Sequence, residues 1–352
     1  MPYESQLALS LSPYVAGEQP KGRTFIKLNT NENPYPPSPR VGKALNGLAE
    51  SLRLYPDMEA TGLKEAIAKV NGLSPDQVFC GNGSDEVLAF AFAAFFAGKR
   101  LLAPDVTYSF YPVYAQLFGV HYETVPLRED YSVDVDGLMQ GAPVALANPN
   151  APTGIFLPLP EIRKLAEHCR KNDAVLLVDE AYAAFAPETA VSLLKEFDNL
   201  LIVCTFSKSH ALAGMRVGYA LGNLRLIDAL RRVRDSFNSY PVDRLAQAAA
   251  EAAVLDTEYT EQSTRRIVAA RDKCREALLE AGIQVLPSAT NFLFVRADET
   301  DAAPVQQALR NEGILVRHFT APRLKPWLRV TVGTEEDMEK VTEALIRLIL
   351  GK

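Results

Sequence analysis

Cysteine and histidine are scarce in this chain of 352 residues, which contains four of each. Cysteines so widely separated predict reduced and mostly buried thiols, as in cytoplasmic proteins, and not a disulfide framework. None of the histidines stands at ligand spacing from a cysteine or a carboxylate pair, so we expect no structural metal site. The cysteines are Cys80, Cys169, Cys204 and Cys274.

The sequence also lacks an excess of positive charge and any long apolar run. Its formal net charge is -6, with 48% hydrophobic and 23% charged residues, as in ordinary soluble globular proteins. Without a basic patch, we expect no nucleic-acid partner and no binding to a membrane surface. No apolar segment approaches the roughly 20 residues that span a bilayer, and the first residues do not resemble a signal peptide.

The length favours two domains, because a single hydrophobic core stops growing at roughly 250 to 300 residues. Residues 1–40 are rich in proline and asparagine and predict an extended N-terminal arm that forms part of a small domain. Residues 41–262 would form a large domain, and residues 263–352 would form the C-terminal part of the small one.

Short apolar runs without alternation predict strands buried on both faces, hence an α/β fold with a mainly parallel sheet covered by helices. The direction of the strand at Val217–Leu221 stays open. After Gly282 short strand signals alternate with helices, which predicts a smaller α+β domain. The predicted strands are Val78–Cys80, Arg100–Ala103, Val144–Asn148, Ala174–Val178, Leu200–Cys204, Val217–Leu221, Gln284–Leu286, Asn291–Val295 and Leu328–Val332.

Polar residues follow four of the predicted strands of the large domain. Ligands collect at the carboxyl ends of parallel strands, so these segments are expected to surround one site. Glycines before a helix are suited to phosphate binding. The same segment can also be explained without a ligand, with Ser84 as the helix cap and Asp85 interacting with the helix dipole. The four segments are Gly81–Asp85, Asn148–Gly154, Asp179–Tyr182 and Thr205–Lys208.

Lys208 and Asp179 are each ordinary when taken alone, since a lysine or an aspartate in a turn is usually a solvated surface residue. Together, the two residues have a second interpretation, as parts of a cofactor site. Pyridoxal 5'-phosphate requires a lysine for covalent attachment, an acid for its ring nitrogen and anion donors for its phosphate. Arg216 and Ser207 are further candidates for the phosphate contacts.

The order of these motifs resembles that of the fold-type I pyridoxal-phosphate aminotransferases. Motifs nearer the two ends resemble the histidinol-phosphate aminotransferase subfamily, and the match covers nearly the whole chain. The motifs are Gly81–Glu86, Asn148–Gly154, Asp179–Tyr182, Ser207–Lys208 and Arg216 for the family, and Leu11–Tyr14, Asn31–Tyr35, Tyr55–Asp57 and Leu328–Thr334 for the subfamily.

The resemblance implies a role for each matching residue. Lys208 would hold the cofactor and move a proton between the two carbons of the substrate imine, Asp179 would pair with the ring N–H, and Tyr182 would bind the ring hydroxyl. Tyr108 would stack on the ring, and a homodimer is implied because Tyr55 would reach the phosphate in the neighbouring subunit. The other implied cofactor contacts are Gly83, Ser84, Asp85, Asn150, Thr205, Ser207 and Arg216, and the implied substrate contacts are Tyr14, Asn33, Arg317 and Arg329.

One position departs from the family pattern. The family usually has an asparagine directly before Pro-Thr-Gly, in contact with the ring hydroxyl, and this chain has Ala151 there. Either Asn150 or Asn148 takes over that contact, or Tyr182 makes it alone.

The resemblance implies amino transfer between histidinol phosphate and 2-oxoglutarate. Aromatic amino acids are the closest alternative substrates, because Arg329 could hold a carboxylate as well as a phosphate. Phosphothreonine decarboxylation shares the core motifs, but the arm motif Asn31–Tyr35 favours the aminotransferase. A fold relative that binds ligand without chemistry is disfavoured, since it would not need Lys208 together with Asp179.

Overall fold

The computed structural model describes residues 3–13, 17–20, 22 and 24–351. In this part of the chain the strands are β1 (Ile26–Leu28), β2 (Val78–Gly81), β3 (Arg100–Pro104), β4 (His121–Val125), β5 (Val144–Ala147), β6 (Leu176–Asp179), β7 (Leu200–Thr205), β8 (Gly218–Gly222), β9 (Phe292–Arg296), β10 (Ile314–His318) and β11 (Trp327–Thr331).

The same described residues form α1 (Gln6–Ser10), α2 (Pro39–Leu45), α3 (Thr61–Asn71), α4 (Gly83–Ala91), α5 (Tyr111–Leu117), α6 (Val135–Leu138), α7 (Leu159–Lys171), α8 (Leu224–Phe237), α9 (Arg244–Val254), α10 (Thr257–Glu280), α11 (Ala303–Asn311) and α12 (Glu335–Leu350). A π-helical segment, Phe92–Phe96, continues α4. The predicted helix Val87–Ala97 therefore begins earlier and ends in a different helical form.

The larger sheet has seven strands in the order β2-β8-β7-β6-β5-β3-β4. Strands β3 to β7 run parallel, and β8 runs antiparallel to both of its neighbours, which decides the direction left open by the sequence. Every residue of β5, β6 and β7 is buried, as the continuous apolar runs predicted. The predicted α/β class with a mainly parallel sheet is confirmed.

Strand β7, which precedes the loop that carries Lys208, is stabilised by burial of its side chains. Leu200, Leu201, Ile202 and Val203 are all fully buried, and burial of each such side chain stabilises the fold by about 1.5–3 kcal/mol before the entropy cost of ordering it. The loop that carries Lys208 leaves this strand directly.

The smaller sheet has four strands in the order β1-β10-β11-β9. Its strand β1 comes from the N-terminal segment and pairs in parallel with β10, so residues 26–28 pack into the small sheet. The prediction that residues 1–40 are extended is wrong at the helix Gln6–Ser10. The predicted strand Gln284–Leu286 is also wrong, because only one bridge forms there, between Val285 and Val295. The domain boundaries at residues 41 and 263 stay a prediction.

Within the described ranges, no helix is long and apolar enough to cross a membrane. The four cysteines are buried free thiols. Among the described residues, no three or more His, Cys, Asp or Glu side chains are grouped so that they could hold a metal ion.

Candidate active site

A cavity of about 300 Å³ lies at the carboxyl ends of β5, β6 and β7. The parallel register places Ala147, Asp179 and Val203 side by side at this edge. The strand ends therefore converge as predicted. The predicted site residues that line the cavity are Ser84, Asp85, Tyr108, Asp179, Tyr182, Thr205, Ser207, Lys208 and Arg216.

The Lys208 side chain is partly buried at the end of β7, and its Nζ donates a hydrogen bond to the carbonyl oxygen of Thr30 at 3.2 Å. Burial and then the nearby Arg329 guanidinium lower the pKa of Lys208 to about 8. At pH 7 a group with that pKa is neutral in about one molecule in ten. A neutral amine is nucleophilic, so Lys208 is suited to attack a carbonyl group.

Asp179 ends β6 and is only 5% exposed. Its carboxylate accepts hydrogen bonds from the Tyr111 hydroxyl and from the Ala181 N–H, both at 3.2 Å. Burial raises the pKa of Asp179 to about 7, against these two hydrogen bonds. A positively charged N–H group in the cavity would favour the ionised carboxylate.

An anion cradle lies where α4 begins. The backbone at Gly83 has φ +79°, and a Cβ there would lie 2.6 Å from Arg216 Nη2. A Cβ on Gly218 would lie 2.2 Å from the backbone nitrogen of Ser84, so glycine is required for β8 to approach the helix terminus. The first N–H groups of a helix have no intrahelical acceptor and attract phosphate.

Polar side chains complete this cradle. Arg216 Nη2 lies 3.1 Å from Asp85 Oδ2, and the Tyr108 hydroxyl donates to Asp85 Oδ1 at 2.7 Å. The Thr205 hydroxyl donates to Ser207 Oγ at 3.0 Å, and both residues line the same cavity as Ser84 in the first turn of α4. Backbone amides, hydroxyls and one guanidinium are the donors that a phosphate needs.

Arg317 and Arg329 line a neighbouring cavity of about 470 Å³, which shares Tyr108 and Ala151 with the first. The two arginines stand directly opposite each other on β10 and β11. Arg329 also donates to the carbonyl oxygen of Asn29 at 3.1 Å. Like charges opposed across a strand pair repel each other, and an anion between them relieves that repulsion.

Several predicted residues lie elsewhere. Asn33 donates to the backbone carbonyl oxygen of Lys208 at 3.0 Å and is not among the residues lining either cavity. Tyr55 is 78% exposed and stacks on Tyr240, with ring centroids 4.7 Å apart. Tyr14 lies outside the described residues.

The loop after β5 contains Ala151 and the two asparagines that are candidates for the missing contact. Asn150 Nδ2 donates to the Val106 carbonyl oxygen at 2.9 Å, and Asn148 Nδ2 donates to that of Leu157 at 3.0 Å. Both side-chain NH₂ groups therefore donate to backbone carbonyl oxygens, and neither asparagine is among the residues that line the cavity, whereas Ala151 is. Of the three candidates for the contact, only Tyr182 lines the cavity.

Sequence reasoning missed the residues that the N-terminal segment contributes to the cavity wall. Thr30 and Glu32 both line the cavity. Burial disfavours ionisation of Glu32, but hydrogen bonds from Lys27 and Thr30 outweigh it and lower its pKa. Asn31 donates to the Tyr182 hydroxyl oxygen at 2.8 Å. Asn31 and Glu32 belong to the motif Asn31–Tyr35 and Thr30 directly precedes it, but the contacts of all three residues depend on the fold.

Comparison with known proteins agrees with this geometry. Histidinol-phosphate aminotransferase 1 of Methylococcus capsulatus is 51% identical over 354 residues, covering 100% of this chain and 99% of the relative. Histidinol-phosphate aminotransferase 1 of Bradyrhizobium diazoefficiens is 52% identical over 347 residues, covering 98% and 99%. The resemblance proposed from the motifs is confirmed.

A solved structure of histidinol-phosphate aminotransferase from Sinorhizobium meliloti, in complex with pyridoxal-5'-phosphate, has a TM-score of 0.89 and 28% identity, covering 100% of this chain and 98% of that one. Aspartate aminotransferase from Thermus thermophilus with maleate has a TM-score of 0.82 at 20% identity, covering 99% and 100%, and shows the common fold alone. The family model for aminotransferase class I and II matches residues 23–345, and this chain belongs to that family.

Proposed function

We propose that this aminotransferase uses pyridoxal 5'-phosphate to move an amino group between histidinol phosphate and 2-oxoglutarate. The single observation that carries the choice of substrate is the opposed pair Arg317 and Arg329, one cavity away from Lys208. The sequence identity of 52% and 51% to two histidinol-phosphate aminotransferases supports the same choice.

The residues present fit the cofactor. The glycine-dependent approach of β8 to the start of α4 makes a cradle for its phosphate, and the buried Asp179 would pair with its ring N–H. When bound, pyridoxal phosphate withdraws electrons from the bonds at the amino-bearing carbon of the substrate. Lys208 would hold the cofactor, Tyr108 would cover the ring and Tyr182 would bind the ring hydroxyl.

Acid–base chemistry falls to Lys208. A pKa near 8 lets the same amine accept and return a proton near neutral pH. Asp179 would keep the proton on the ring nitrogen, since an ionised carboxylate stabilises a neighbouring positive N–H group. The low polarity around Asp179 strengthens that pairing.

Two arginines favour phosphate over carboxylate as the distal group of the substrate. A phosphate monoester carries about −1.5 to −2 charges near pH 7, whereas a carboxylate carries one. Arg317 and Arg329 offer two planar donor groups to three oxygens, so the dianion suits the pair better. Aromatic amino acids are the second candidate, because Phe319 also lines this cavity beside the arginines.

The active unit is a homodimer in this proposal. The subunits would meet at exposed apolar side chains that lie close to Tyr55 and Tyr240 in the sequence, since exposed apolar patches mark protein interfaces. Tyr55 would reach from one subunit to the cofactor phosphate of the other. Reduced buried thiols and a biosynthetic substrate favour the cytoplasm. The patch comprises Leu52, Leu54, Tyr55, Phe237 and Tyr240, which are 52%, 53%, 78%, 78% and 40% exposed.

Initial rates with histidinol phosphate, phenylalanine and phosphothreonine, each with 2-oxoglutarate, test the proposal. We expect histidinol phosphate to react fastest. Lys208→Ala should abolish turnover, and the control Lys43→Ala, at an exposed site on α2, should not. Equal or faster turnover of phenylalanine would move the assignment to aromatic substrates.

Arg329→Gln tests the anion site separately. Loss of charged hydrogen bonds worth about 1.5–3 kcal/mol should lower kcat/KM for histidinol phosphate roughly 10- to 150-fold. Histidinol without its phosphate should be affected much less. The control Arg225→Gln changes an exposed arginine on α8 and should leave both rates unchanged. Equal losses for both substrates would show that Arg329 does not bind the phosphate.

Light scattering tests the dimer. The wild type should have twice the mass of one chain, and Tyr55→Phe should weaken cofactor binding without changing that mass. A monomer with full activity would contradict the proposal.

A further inference from the structure

Three consecutive residues of the N-terminal segment contact three functional side chains. The carbonyl oxygen of Asn29 accepts from Arg329, that of Thr30 accepts from Lys208 Nζ, and Asn31 Nδ2 donates to the Tyr182 hydroxyl. We propose that Asn31 is a positioning residue, which orients the Tyr182 hydroxyl toward the cofactor. This inference rests on the proposed function.

Burial and hydrogen bonds fix the position of Asn31. It is 1% exposed. Its backbone N–H donates to Thr331 Oγ1 at 3.0 Å, its side-chain oxygen accepts from the same hydroxyl at 2.9 Å, and its backbone carbonyl accepts from Asn291 at 3.0 Å. All four polar groups of Asn31 are thus hydrogen-bonded, so the direction of its Nδ2 is set by the surrounding structure.

The backbone of Asn31 adds a second constraint. Its φ is +57°, in the left-handed region where asparagine is better tolerated than most residues. Strained or unusual backbone conformations persist where the surroundings hold them, often at functional sites. The conformation directs the side chain toward Tyr182.

A donor at the phenol oxygen controls where the phenol proton points. The amide of Asn31 occupies a lone pair of Tyr182 Oη at 2.8 Å, so the hydroxyl proton must point away from Asn31. The ring itself is fixed by edge-on packing against Phe292, with centroids 5.2 Å apart. Donation to the oxygen also polarises the O–H bond and makes Tyr182 a stronger donor.

Asn31 also joins Tyr182 to the strand of the second cavity. Thr331 lies two residues after Arg329 on β11, so both side chains are on the same face of that strand. The contact therefore ties the hydroxyl group near the cofactor to the part of the small sheet that would bind the substrate anion.

Spectroscopy of the cofactor-loaded protein tests the inference. The readout is the pH midpoint of the visible absorbance change of the bound cofactor. A hydroxyl that donates to the ring oxygen stabilises negative charge there, so Tyr182→Phe should raise the midpoint by about one pH unit. Asn31→Gly removes the amide but suits the positive φ, and it should raise the midpoint in the same direction.

The double variant Asn31→Gly/Tyr182→Phe distinguishes an effect of Asn31 that acts through Tyr182 from a general disturbance of the structure. If Asn31 acts through Tyr182, Asn31→Gly adds no further shift in the Tyr182→Phe background. The control Asn71→Ala removes an amide that donates to the Ile67 carbonyl oxygen at 2.8 Å; Asn71 is not among the residues that line either cavity, and this change should leave the midpoint unchanged.

Two results would overturn the inference: an unchanged midpoint in Asn31→Gly, or shifts that add in the double variant. If Asn31→Gly fails to fold, Asn31→Asp keeps the acceptor for Thr331 and is judged by the same comparison. A wild-type protein without a visible cofactor band would instead refute the proposed function.

Discussion

Replacing Asp179 by asparagine should stabilise the cofactor-free protein, although it removes a residue of the proposed active site. The carboxyl is 5% exposed, and burial raises its pKa from 3.8 to about 7. Asparagine has the same shape and can still accept from the Ala181 N–H while its amide group faces the Tyr111 hydroxyl. The substitution therefore removes a buried charge and leaves the hydrogen bonds in place.

The direction of the pH dependence of stability follows from how many protons Asp179 binds in the folded and unfolded states. Between pH 3.8 and about 7 the folded protein binds more protons at Asp179 than the unfolded chain does, so the contribution of Asp179 to stability falls as pH rises. A displacement of about 3 pKa units corresponds to about 4 kcal/mol when the loss is complete at pH 8. At pH 5 only roughly 1–2 kcal/mol has been lost.

Urea unfolding of the cofactor-free wild type and of Asp179→Asn, followed by circular dichroism at pH 5 and pH 8, measures this difference. We expect the advantage of the variant to grow by roughly 2–3 kcal/mol between the two pH values. Comparison across pH cancels any intrinsic difference between asparagine and protonated aspartate. An advantage that is equal at both pH values, or larger at pH 5, would refute the reasoning.

Three further outcomes are expected. Gly218→Ala should weaken cofactor binding at least about tenfold in an absorbance titration, because its Cβ would meet the Ser84 backbone, whereas Gly214→Ala, with open space around it, should not. Asn33→Ala should destabilise the protein by about 1–3 kcal/mol in urea unfolding, because the Lys208 carbonyl loses its donor; no change would show that water replaces it. No thiol should react with Ellman's reagent before unfolding, and rapid native labelling would contradict the burial of Cys80, Cys169, Cys204 and Cys274.

The strands that sequence reasoning found are those whose two faces are both buried. Strands β5, β6 and β7 are apolar throughout, and such runs are recognisable without any knowledge of neighbours. Strand β4 was missed because it lies at the sheet edge, where His121 and Glu123 are exposed and the apolar pattern is lost. The short strands β1 and β10 were also missed, since their pairing joins residues nearly 290 positions apart.

The residues of the site also differ in whether the local sequence is enough to predict them. Lys208, Asp179 and the glycines before α4 directly follow or precede well-marked strands and helices, so local pattern and chemistry suffice to select them. For Asn33 the resemblance implied a substrate contact, whereas its hydrogen bond to the Lys208 backbone depends on how the N-terminal segment packs.

The sequence by itself determined which reactive and binding residues are present and the order of the strand ends that carry them, because apolar runs, glycines and polar turns are local properties of the chain. Tertiary structure alone decided the direction of β8, the pairing of Arg317 with Arg329 and the contact of Asn31 with Tyr182. These features arise from the packing of segments that are distant in the chain, and their energies depend on burial and on hydrogen-bond geometry that no local pattern encodes.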